Sequence, residues 1–90
     1  MRTSLVIEEK DIEQGIRGSR CECPVARAAR RKFPRDAKIF VDHSQLTVYH
    51  DGGRREVYHL PDETHQFISD FDRGVPLLPR VLQMEFGYSY

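Results

Sequence analysis

The period of the apolar positions changes twice along this chain. Near the amino terminus Leu5 and Ile7 alternate against Val6, so residues Ser4 to Glu8 are predicted as a short opening strand. Asp11 is positioned to cap a brief helical turn over Ile12 to Ile16, with Gln14 three residues on, and Gly18-Ser19 to end it. From Pro24 the spacing becomes helical. Val25, Ala29 and Phe33 recur four apart with Ala26 and Ala28 beside them, while Arg27, Arg30 and Arg31 fall on the other side. Pro24 suits a first helical position, where no backbone donor is needed, and Phe33-Pro34 marks the exit.

The period then drops to two. Residues Lys38 to His43 set Ile39 and Val41 against Phe40, and residues Gln45 to His50 set Leu46 and Val48 against Thr47 and Tyr49. Asp51-Gly52-Gly53 tolerates positive φ and predicts a hairpin turn into a third strand, Arg54 to Leu60, completing a three-stranded antiparallel meander. Helical spacing returns after Leu60-Pro61. Asp62 is placed to cap a helix whose stripe is Thr64, Phe67, Ile68 and Phe71, and Gly74 stops it. Leu82, Met84 and Phe86 alternate as a final strand over Val81 to Phe86, with residues 87–90 peripheral. The expected architecture is α+β, a small single domain over residues 1–90 with an antiparallel sheet and two main packing helices sharing one core.

Charge changes this picture locally. Lysine plus arginine and aspartate plus glutamate both number 14, so the formal net charge is zero. The distribution is uneven: residues 16 to 35 hold seven basic side chains against Glu22 alone, and residues 36 to 90 hold five basic and nine acidic ones. A neutral chain argues against nucleic-acid binding driven by net charge, but leaves one cationic patch free to meet an acidic surface. No apolar run reaches membrane-spanning length, no leader is visible, and Cys21 and Cys23 are spaced too closely for an easy internal disulfide. A soluble, cytoplasmic protein is expected.

Candidate chemistry is sparse. Cys21 and Cys23 supply half of a four-ligand zinc site, and no spacing among His43, His50, His59 and His65 completes one, so no metal or other cofactor is expected. The histidines, with Asp62, Asp70 and Asp72, form no catalytic constellation; no catalytic residue is assigned and the chain reads as a non-enzyme. The arginine face carries the functional expectation instead. Arg20, Arg27, Arg30, Arg31, Lys32 and Arg35 are expected to bind an acidic protein surface, or in the alternative to contact nucleic-acid phosphates in an accessory role.

Four segments carry a resemblance: Asp11-Ile12 through Gly15, Cys23-Pro24-Val25-Ala26, Tyr58-His59-Leu60-Pro61, and Phe67-Ile68 through Asp70-Phe71-Asp72-x-Gly74. Together they resemble short uncharacterised proteins encoded by bacteriophages and bacterial mobile elements. The resemblance implies an accessory or host-interaction role, such as inhibition of a bacterial host or defence factor.

Overall fold

The computed structural model describes residues 2–42 and 44–89; His43, the last residue of the predicted Lys38 to His43 strand, and Tyr90 lie outside them. The chain runs β1 (Arg2–Ile7), α1 (Glu9–Gln14), α2 (Pro24–Arg30), β2 (Lys38–Val41), β3 (Gln45–Tyr49), β4 (Arg55–His59), α3 (Asp62–Asp72) and β5 (Arg80–Ser89). All five strands form one antiparallel sheet in the order β1-β5-β4-β3-β2. The predicted α+β architecture is therefore present, including the β2-β3-β4 meander. Gly52 and Gly53, at φ of 93° and 91°, make the β3–β4 turn in a region that side-chain-bearing residues rarely enter.

The last strand closes the sheet. β5 lies between β1 and β4, so the two ends of the chain are joined by pairs from Arg2↔Glu85 to Ile7↔Arg80. It is also longer than Val81 to Phe86: it continues to Ser89, pairing Val57↔Tyr88 and Glu56↔Ser89 beyond a bulge. Residues 87–89, expected to be peripheral, are thus part of the sheet.

One face of the sheet holds the core. Leu5, Ile7, Leu82, Met84, Leu46, Val48, Ile39 and Val41 point inward at alternate positions and are buried against α2 and α3. From α3, Phe67 and Phe71 are buried, each worth about 1.5–3 kcal/mol on removal from water. Thr64 is buried beside them because β4 stops at His59: its hydroxyl donates to the Gln83 carbonyl at 2.7 Å, beyond the end of the β4–β5 pairing. Pro61 occupies the cap position of α3, and Asp62, predicted as the cap, is its first helical residue.

α2 shows why small residues were required. It packs against both β1 and β2, the opposite edges of the sheet, so the sheet curls around it. Val25, Ala26, Ala28 and Ala29 are buried, since a helix held between two strands admits little beyond a methyl group. The Cys23 thiol caps it, accepting from the Ala26 backbone N–H at 3.4 Å. Each edge also makes a hydrogen bond with the chain beside it. Arg31 Nη2 donates to the Val6 carbonyl on β1 at 2.9 Å, and the Val41 N–H on β2 donates to the Arg20 carbonyl at 2.8 Å.

Candidate functional site

The six basic residues expected to bind a partner divide into two groups. Arg31 grips Asp11 with both ends of its guanidinium, at 2.7 Å and 2.6 Å. Asp11 is not the cap of a helix over Ile12 to Ile16; α1 begins at Glu9, and Asp11 is its third residue, fully buried, with Oδ2 also accepting the Glu8 backbone N–H at 2.9 Å. Burial alone would raise the Asp11 carboxyl pKa, but the Arg31 hydrogen bonds, the Glu8 N–H and the charges of Arg31 and Arg27 outweigh it and hold the group below its ordinary value. Arg27 donates to Gln14 Oε1 at 2.7 Å, while its buried Nε sits 3.8 Å from Asp11 Oδ1 without a hydrogen-bond partner. Arg30 bonds the Cys21 carbonyl and the Glu22 carboxylate.

Three arginines of the basic face are therefore matched by the chain's own acceptors. The pairing partners lie 8 to 20 residues away, a separation no helical spacing reveals. Lys32 and Arg35 are exposed on the connection to β2, and Arg20 is exposed at the β2 edge. No field of free guanidinium groups crosses α2.

Neither cysteine forms a disulfide. Cys23 is buried, which drives its thiol pKa up against the backbone hydrogen bonds at the helix start, so the cap sulfur is held as a neutral thiol. Among the described residues no group of three histidine, cysteine or acidic side chains is placed to hold a metal ion. His50 Nε2 meets Glu56 Oε1 at the half-buried end of the core, with Tyr58 nearby. Burial, followed by the Glu56 charge and hydrogen bond, pushes the Tyr58 phenol up, away from phenolate. Tyr58 instead packs between Phe33 and Phe86, with ring centroids 5.6 Å and 5.4 Å away.

The other face of the sheet carries a mixed set of polar, charged and aromatic side chains, with Val57 buried among them. Pair registers lay them out in transverse rows: Gln45, His59, Glu85 and Arg2; then Phe40, Thr47, Val57 and Tyr88; then Lys38, Tyr49 and Arg55. No helix among the described residues lies on these rows, since all three pack on the core side or at the edges. Phe40 and Tyr49 are 37% and 38% exposed and meet edge to face at 5.3 Å. The Arg55 guanidinium lies 5.6 Å over the Tyr49 ring. A groove of about 770 Å³ follows these aromatics along β2 and β3, and Arg20, Lys38, Asp36, Asp42 and Asp51 are among the residues that line it.

The sequence did contain the signal for this surface. Phe40 and Tyr49 sit on the strand phase opposite Ile39, Val41, Leu46 and Val48, where a sheet covered on one side carries polar residues. Comparison with protein-family models, curated proteins and solved structures returned no match. No helix of the described residues is long and apolar enough to cross a membrane.

Proposed function

We propose that the protein is a small, non-enzymatic protein-interaction module that docks its partner in the β2–β3 groove. The observation supporting this reading is the exposed Phe40–Tyr49 pair on a face that no helix among the described residues covers. Exposed aromatics cost solvation when bare and are the commonest anchors of protein interfaces, while surrounding charge orients the approach. Arg20, Lys38 and the neighbouring Lys32 and Arg35 supply that charge at the β2 side. Arg27, Arg30 and Arg31 act from behind: Arg31 holds the β1 edge and Asp11, Arg30 holds the Cys21 carbonyl, and Arg27 holds Gln14 of α1.

A phosphate backbone suits this groove less well, because it would run past Asp36, Asp42 and Asp51. The edge-to-face ring pair, with Arg55 over Tyr49, also leaves fewer open ring faces for successive bases. The mobile-element resemblance makes a bacterial host or defence factor the class of partner to seek, with inhibition as the consequence of docking.

The test is capture from nuclease-treated bacterial lysate, followed by purified binding. Phe40→Ser and Tyr49→Ser are expected to weaken affinity by about tenfold or more each, as loss of an interface anchor does. Arg30→Ala, which breaks an exposed pair, is expected to change it by less than about threefold. Binding indifferent to both aromatics, or salt-sensitive retention of DNA or RNA by the purified protein, would defeat the reading.

A further inference from the structure

We infer that, before any partner arrives, the groove is occupied by the same groove of a second copy, so that docking competes with a homodimer. The inference rests on the groove being a protein-docking surface. It starts from charges the chain leaves unmatched. Arg20, Lys38, Asp36 and Asp51 all line the groove, and none of the four belongs to an ion pair among the described residues.

Beside Asp42, two unpaired cations and two unpaired carboxylates line the same groove as the aromatic pair, so it carries both of the signs that a second copy of itself would present. A partner of one sign would satisfy half of these groups and repel the rest. A second copy related by a twofold axis supplies both signs, because each contact made by one protomer is made again by the other. Phe40 and Tyr49 would then meet their own counterparts, joining an apolar contact to the charged ones, as stable interfaces do. The whole chain has zero formal charge, so no net repulsion opposes approach of two copies.

Pairing through this face hides the docking anchors until a partner displaces the second copy. The device would keep exposed aromatics out of water without a covering helix. It also makes activity depend on protein concentration, since partner and copy compete for the same residues.

Sedimentation velocity from low-micromolar to near-millimolar concentration tests this. The wild-type chain is expected to shift from monomer to dimer, and the Phe40→Ser/Tyr49→Ser variant to stay monomeric. Two charge variants provide the control against simple loss of folding. Arg20→Glu/Lys38→Glu makes the groove acidic and Asp36→Lys/Asp51→Lys makes it basic, so each is expected to be monomeric alone and to form a heterodimer when mixed with the other. A wild-type chain that remains monomeric throughout, a dimer that persists in both charge variants, or a mixture that fails to pair would overturn the proposal. A monomeric wild type whose partner binding still depends on Phe40 and Tyr49 would remove the homodimer and leave the docking reading intact.

Discussion

Asp11 shows how one side chain can determine what its neighbours are free to do. A fully buried carboxylate requires compensation, and here Arg31 supplies two hydrogen bonds while reaching on to the β1 edge. Removing only the arginine leaves the buried charge without its chief partner. Arg31→Met is therefore expected to destabilise the fold by about 3 kcal/mol, the low end for a broken buried pair because Arg31 itself reaches solvent. Adding Asp11→Asn should recover part of that loss, since the stranded charge is gone. Urea unfolding of the two single variants and the double variant measures the coupling. Strict additivity would show that the pair is not the reason for the cost.

At the scale of elements, periodicity was legible wherever one face of an element is buried. Alternation located β2 and β3, the Asp51-Gly52-Gly53 turn located β4, and the Val25 and Ala29 spacing located α2, although that helix ends at Arg30, before the predicted exit at Phe33-Pro34. What local sequence could not show was which distant element supplies that burial. The alanines of α2 read as a face for one sheet surface, yet they fit between two sheet edges; Asp11 read as a local cap, yet its decisive partner is Arg31. Gly15 belongs to the same class. Its φ of −66° and ψ of 151° suit any residue, so Ala would be expected to stabilise by restricting the unfolded chain. Packing reverses the sign: a Cβ there would lie 2.7 Å from the Asp11 carbonyl oxygen, 2.9 Å from the Pro24 ring and 3.1 Å from Phe71. Gly15→Ala is expected to cost about 1–3 kcal/mol as overpacking where α1, α2 and α3 converge. An unchanged or raised urea midpoint would show that these elements separate without penalty.

Across the whole molecule, the groups with shifted pKa values predict a stability plateau with different causes at its two ends. Asp11 and Asp70 are both held below the ordinary carboxylate value in the folded chain, Asp11 by Arg31 and Glu8 against the cost of burial, and the half-buried Asp70 by Gln66 and Arg73. A folded pKa lower than the unfolded one means that the unfolded chain takes up protons first. The resulting stability is complete well above about pH 4, the usual value for an unfolded carboxylate, and disappears as pH falls through the lower folded value. Cys23 and Tyr58 act at the other end. Burial raises both above their ordinary values of 9.0 and 10.0, so the unfolded chain loses protons first and stability declines as pH climbs past those values. Unfolding free energy measured in urea with a reductant present should therefore be nearly flat from about pH 5 to about pH 8 and fall on both sides. Asp11→Asn identifies the source of the acid limb. It should be least stable relative to wild type on the plateau, and the difference should shrink as Asp11 in the wild type becomes protonated below about pH 4. A difference that stays constant into strong acid would mean that the Asp11 carboxylate is not the group whose protonation loosens the closure between β1, α1 and α2.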